Sequence, residues 1–140
     1  MTEREKAVRR FLRVSEQRWQ TAHWLLTKSE FYLDAVYLGG YAVECALKAL
    51  IFRRTSDRRF DEMYEEVTTG KKAHDFEFLK GLLRRKPINL VFPNMVLAPL
   101  RQVATWTTDL RYVTGILEYD EAREFLGAVA AIREWVERQT

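Results

Sequence analysis

Residues 33–53 read LDAVYLGGYAVECALKALIFR, and this stretch decides the fold. Leu38, Ala42, Cys45, Ala49 and Phe52 recur at alternating spacings of four and three, which is one stripe of an α-helix. Val43, Leu47, Leu50 and Ile51 fill the flanks, so a helix over about 31–54 is apolar nearly all round and belongs at the centre of its domain. Its length raises the question of a membrane span. Glu44 and Lys48 near its middle would each cost about 2.5–3.5 kcal/mol at a bilayer centre, and the span is rejected. Acid first and four residues apart, the two are ordered for a helical ion pair. Gly39-Gly40 should cost about 1 kcal/mol each against alanine. That cost predicts a compensating close approach, by a neighbouring backbone.

Working outward, the run over about 4–28 carries Val8, Phe11, Ser15, Trp19, Ala22 and Leu26 on one helical face, with a break around Ser29-Glu30. Residues 55–73 change from basic to acidic to a polar turn and read as a long loop, with room for a short helix over 60–67. Asp75 can cap a third helix over 75–85, with Phe76, Leu79, Leu82 and Leu83 inward, Arg84-Arg85-Lys86 at its negative end and Pro87 as its stop. Pro93-Asn94 opens a fourth run reaching Thr108, in which Pro99 is expected at the first helical turn near Ala98. Asp120 is expected to cap a last helix over 121–138, with Ala122, Phe125, Val129, Ile132 and Val136 on its stripe. Five helices with mostly short links predict an all-α, up-and-down bundle forming one domain over 1–140. A chain of 140 residues with 47% hydrophobic usage can bury a core without staples. One cysteine excludes an internal disulfide and suits a reducing cytoplasm, and the charged opening TEREKAVRRFLR does not read as a secretory leader.

The catalytic inventory is short. Two histidines far apart and one cysteine on an apolar stripe make no metal cluster, and no glycine-rich phosphate loop is present, so no cofactor or metal is expected. Cys45 and the four tryptophans read mostly as packing. Basic residues gather in three clusters: Arg9, Arg10 and Arg13; Arg53, Arg54, Arg58 and Arg59; and Lys71, Lys72, Arg84, Arg85 and Lys86. Meeting at one end of a bundle they would attract phosphate; kept apart they are a solvated face, and a net charge of +3 is modest for a nucleic-acid binder.

The segment GGYAVECALKALI, followed by AHDFEFLKGLL, LRYVTG and YDEAREFLGAVAAIREWV, resembles the HEPN domain family from the second helix to the last. The resemblance implies a bundle of four or five helices, commonly a homodimer, with nucleotide or RNA as ligand. It also implies, in many members, RNA cleavage and a small nucleotidyltransferase as antitoxin partner. The ribonuclease members resemble one another in an Arg-x(4–6)-His motif. The arginine would stabilise phosphate charge and the imidazole would move the 2′-hydroxyl proton. Arg111 matches the arginine half, and no histidine follows it in Tyr112-Val113-Thr114-Gly115-Ile116-Leu117-Glu118. Arg18 and His23 match the expression elsewhere, but five residues apart on a helix their side chains diverge by about 140°.

His74, ahead of the third helix, reads either as a titrating or phosphate-contacting group or as a capping histidine bonded to backbone. Glu44 reads as a structural ion-pair partner of Tyr41, Lys48 or Arg111, or as a site carboxylate. The leading expectation is a non-catalytic nucleotide- or RNA-binding module of a two-protein system. Arg53, Arg54, Arg58, Arg59, Lys48, Arg111 and Tyr112 are its candidate contacts. The alternative is a metal-independent ribonuclease toxin with a degenerate motif, built on Arg111, His74 and Glu44.

Overall fold

The computed structural model describes residues 1–28, 30–113 and 117–140. Six α-helices follow one another: α1 (Glu3–Leu25), α2 (Tyr32–Arg54), α3 (Phe60–Thr68), α4 (Phe76–Arg84), α5 (Asn94–Gln102) and α6 (Tyr119–Gln139). Short 3-10 turns at Asp57–Arg59, Lys71–His74 and Thr108–Tyr112 join them, and no strand occurs among the described residues.

α2 is the hub. Fifteen of its 23 residues are buried, Glu44 and Lys48 among them, so the apolar length that raised the membrane question is spent inside the bundle. Side-chain contacts give the helix directions. Arg4 reaches the carbonyls of Phe52 and Arg53 while Ser15 reaches that of Ala42, so α1 runs antiparallel to α2. Gly39 faces Leu126 and Arg53 reaches the Thr140 carbonyl, so α6 runs parallel to α2. Phe60 packs on Phe52 and Tyr64 on Phe11, which makes α3 a short return leg. Phe92 meets Trp135 and Trp106 lies over Gly40, which carries the α5 segment back the other way. The chain alternates in direction throughout, the up-and-down order expected, with α3 as the short helix for which the stretch over 60–67 leaves room.

Thr2 caps α1 reciprocally with Glu5: its hydroxyl accepts the Glu5 N–H and the Glu5 carboxylate accepts the Thr2 N–H, both at 3.1 Å. Asp75 caps α4 as expected, accepting the Glu77 N–H at 2.9 Å. Ser15 on the α1 stripe is fully buried, donating to the Ala42 carbonyl at 2.6 Å and accepting from Arg133 Nε at 2.9 Å, so one hydroxyl ties α1, α2 and α6 together.

Four expectations change. Pro99 does not begin a helix: α5 starts at Asn94 after the extended Pro93, and Pro99 lies inside it. The carbonyl that loses its helical partner belongs to Met95, which is exposed. α5 also ends at Gln102, ahead of Thr108. The N-cap of α6 is Glu118, and Asp120 sits in the first turn, where its charge still suits the helix dipole. The neighbours that crowd the glycine pair are side chains, not a backbone: Leu126 beside Gly39 and the Trp106 indole beside Gly40. Among the tryptophans, Trp106 and Trp135 are core, while Trp24 is exposed beneath the Lys28 ammonium. Ser29 of the expected break and Thr114, Gly115 and Ile116 of the motif segment lie outside the described residues.

Candidate functional site

Two constellations of charged residues stand apart in the bundle. The first is centred on Glu44. Its Oε2 accepts from Lys48 Nζ at 2.9 Å, one turn on along α2, and its Oε1 lies 2.9 Å from His74 Nδ1. Glu44 and Lys48 side chains are each 5% exposed, whereas His74 is 42% exposed. The pair is therefore structural on its inner side and faces solvent through the imidazole. His74 neither caps a helix with its ring nor bonds backbone; Asp75 is the cap.

An aromatic wall closes this site. The Tyr41 ring meets the His74 ring edge-on at 6.1 Å and the Trp106 ring at 5.1 Å, and Tyr37 packs on Tyr41. Burial, then the hydrogen bond with Tyr37, pushes the Tyr41 phenol well above its ordinary range. The charge of Arg111 pulls in the opposite direction, which puts Arg111 in the same neighbourhood. Tyr112 is the chief influence that holds Arg111 in its charged form, and the guanidinium lies over that exposed ring, 4.8 Å from its centre. Beside Glu44, burial pushes the Cys45 thiol up to about 11, with the Glu44 charge adding and Lys48 and Arg18 opposing. Cys45 is thus an inert packing group.

The second constellation lies where the C-terminal ends of α2 and α4 come together. A cavity of about 540 Å³ is lined by Arg54, Arg58, Arg59, Arg85 and Lys86 over a floor of Met63, Leu82 and Ile88. Two acids, Glu62 and Glu66, share the lining, and Glu66 pairs with Arg85 at 3.2 Å. Five cations against two carboxylates leave the cavity basic. Two of the three charge clusters therefore meet in part, and α3 is the element that brings them together, because its return leg aligns the end of α4 with the end of α2.

The remaining candidates separate. Arg53 turns away to the Thr140 carbonyl at 2.7 Å. Lys48 is buried against Glu44 at mid-helix. Arg111 and Tyr112 sit with the Tyr37–Tyr41–Trp106 wall rather than with the basic cavity. Arg10 of the first cluster bonds the Tyr64 hydroxyl and does not line the cavity. Arg18 and His23 share α1, where His23 stacks on Trp19. Arg85 and Lys86 come from the third basic cluster, which the sequence offers as part of a phosphate-attracting patch but not among the candidate contacts; Glu62 carries no such signal. Among the described residues no group of three or more His, Cys, Asp or Glu could hold a metal ion.

Comparison with known proteins agrees with this geometry at the level of the fold. The family model of the HEPN domain matches residues 8–139. The chain belongs to the HEPN family. No curated protein and no solved structure matches it significantly. The only histidines in this HEPN chain are His23 and His74, and neither follows Arg111.

Proposed function

We propose that this HEPN domain is a non-catalytic nucleotide- or RNA-binding module, working in the cytoplasm as one half of a two-protein system with a small nucleotidyltransferase. The basic cavity carries the reading. Arg54, Arg58, Arg59, Arg85 and Lys86 converge on about 540 Å³, a volume suited to a small ligand or a single nucleotide of a strand. Arginine forks bind phosphate oxygens in pairs, and the apolar floor can take the ligand's less polar part. The absence of a histidine after Arg111 favours binding over cleavage.

Titration with a mononucleotide and with a short single-stranded RNA tests the reading. Affinity should fall steeply as salt rises, because each phosphate contact releases counterions. Arg58→Glu with Arg59→Glu should abolish binding in a protein that still melts cooperatively. Binding that is indifferent to salt or to both charge reversals overturns it.

A metal-independent ribonuclease is the second reading, favoured by one observation: His74 Nδ1 is held 2.9 Å from a buried carboxylate. EDTA-resistant cleavage of a mixed RNA pool, lost in Arg111→Ala and in His74→Ala, would establish it. Intact RNA after prolonged incubation removes it.

A further inference from the structure

The Glu44–His74 contact has a chemical meaning that binding at the basic cavity does not use. A carboxylate already accepting from Lys48 is an acceptor for His74 as well, so the imidazole proton resides on Nδ1. Nε2 then carries a free lone pair. No protein hydrogen bond reaches Nε2 among the described residues, and the ring is 42% exposed. Tyr41, edge-on at 6.1 Å, limits the ring's rotation. His74 borders a depression of about 280 Å³ that Lys71, Thr107 and Thr108 also line. Of the two carboxylates there, Glu77 pairs with Lys80, and Asp75, which accepts the Glu77 N–H, keeps its negative charge. Lys71 has no carboxylate partner among the described residues, so the depression offers one free ammonium and two hydroxyls beside an oriented nucleophile.

We propose that His74 is a phosphoryl-acceptor site, modified at Nε2 by a small phosphoryl donor of the phosphoramidate or acyl phosphate class. The Nε2 lone pair forms the new N–P bond as the bond from phosphorus to the leaving nitrogen or oxygen breaks, and the leaving group departs with that electron pair as an amine or a carboxylate. The ring is transiently an imidazolium facing Glu44, whose negative charge stabilises it. It then releases the Nδ1 proton to solvent. Lys71 and the two threonine hydroxyls meet the phosphoryl oxygens. Nothing is oxidised or reduced.

The chain supplies its own control, because His23 is the only other histidine and stacks on Trp19 without a carboxylate partner among the described residues. The intact protein is incubated with phosphoramidate and followed by mass spectrometry with site mapping. One acid-labile, alkali-stable phosphoryl group is expected on His74, with His23 reacting at least about tenfold more slowly. His74→Gln should abolish the label. Glu44→Gln should slow it about tenfold with the melting transition retained. Should that variant unfold, Glu44→Gln combined with Lys48→Met restores the charge balance of the core and should show the same slowing. Absence of label on the native protein, equal labelling of His23, or an unchanged rate in the folded Glu44 variant overturns the proposal. Arg58→Glu with Arg59→Glu should leave the labelling unchanged, so failure of the basic cavity as a ligand site is read separately.

Discussion

The indole of Trp106 occupies the space that a side chain at Gly40 would need. A Cβ built there would lie 2.0 Å from the indole Nε1, and that nitrogen donates to the Tyr37 carbonyl at 3.1 Å on the same helix. The Phe76 ring stacks on the indole at 5.1 Å, so the indole is held by a ring as well as by its hydrogen bond. Gly40→Ala should therefore destabilise the protein by about 1–3 kcal/mol despite the gain in helix propensity. Gly39 has a different neighbour, the terminal methyl of Leu126 at 2.6 Å, which a rotamer change can move. Gly39→Ala should fall within about 1 kcal/mol of the wild type. Urea denaturation of both variants checks the contrast, and equal losses would show that the indole yields.

Ser15 offers a second test. Ser15→Ala leaves the buried Arg133 Nε without its acceptor and should cost about 1–3 kcal/mol. Ser15→Ala combined with Arg133→Met should cost less than the sum of the single changes, because the second substitution removes the donor that the first leaves unpaired. Chemical denaturation of the four proteins closes the cycle. Strict additivity would mean that the two groups do not interact.

Cys45 makes stability depend on alkaline pH. Its thiol is held at about 11 in the folded chain against 9.0 when free, so the folded state binds the proton more tightly. That contribution is complete below about pH 9 and is lost as pH rises towards 11, to the extent of about 2 kcal/mol. Cys45→Ala should flatten that part of the stability profile, measured as the difference between the two proteins. Native Cys45 should also resist a thiol reagent at pH 8 until the chain is unfolded. Rapid labelling of the native thiol would contradict its burial.

A homodimer, if formed, has apolar surface available to it. Trp24, Phe31, Val91, Met95, Tyr112, Val113 and Tyr119 are large and exposed on this chain. Sedimentation equilibrium at micromolar concentration should give twice the chain mass, and the dimer should weaken when Tyr112→Ser and Tyr119→Ser are combined. A monomer mass across that range removes the dimer.

The helices were legible because burial leaves a periodic trace. Ser15 sat on the α1 stripe although it is polar, and it proves to be the buried hydroxyl at the junction of three helices. The centrality of α2 followed from its lack of a polar face. What the pattern could not carry was partner identity. The spacing of Glu44 and Lys48 indicated their mutual bond, yet nothing local joined Glu44 to His74, thirty positions away. The meeting of two basic clusters stood in the sequence as one of two alternatives for the same reason: the cavity is lined from two stretches, 54–66 and 82–88, and their approach depends on the return leg of α3, nine residues long. Pro99 departs from its expected place because a proline's preference for a first turn yields to a short helix whose unpaired carbonyl belongs to exposed Met95.

The hydroxyl of Ser15 and the guanidinium of Arg133 are separated by 118 positions, whereas α1 and α2 adjoin in the chain. The first two helices can pair as soon as they exist, at a small cost in loop-closure entropy, while α6 must wait for everything between to be placed. On a ribosome, α1 and α2 would emerge as a hairpin with the apolar back of α2 open to solvent until α6 arrives to cover it. The interval before that last helix docks is when this chain is most exposed to aggregation, and its length is set by the rate of translation rather than by the strength of the finished core.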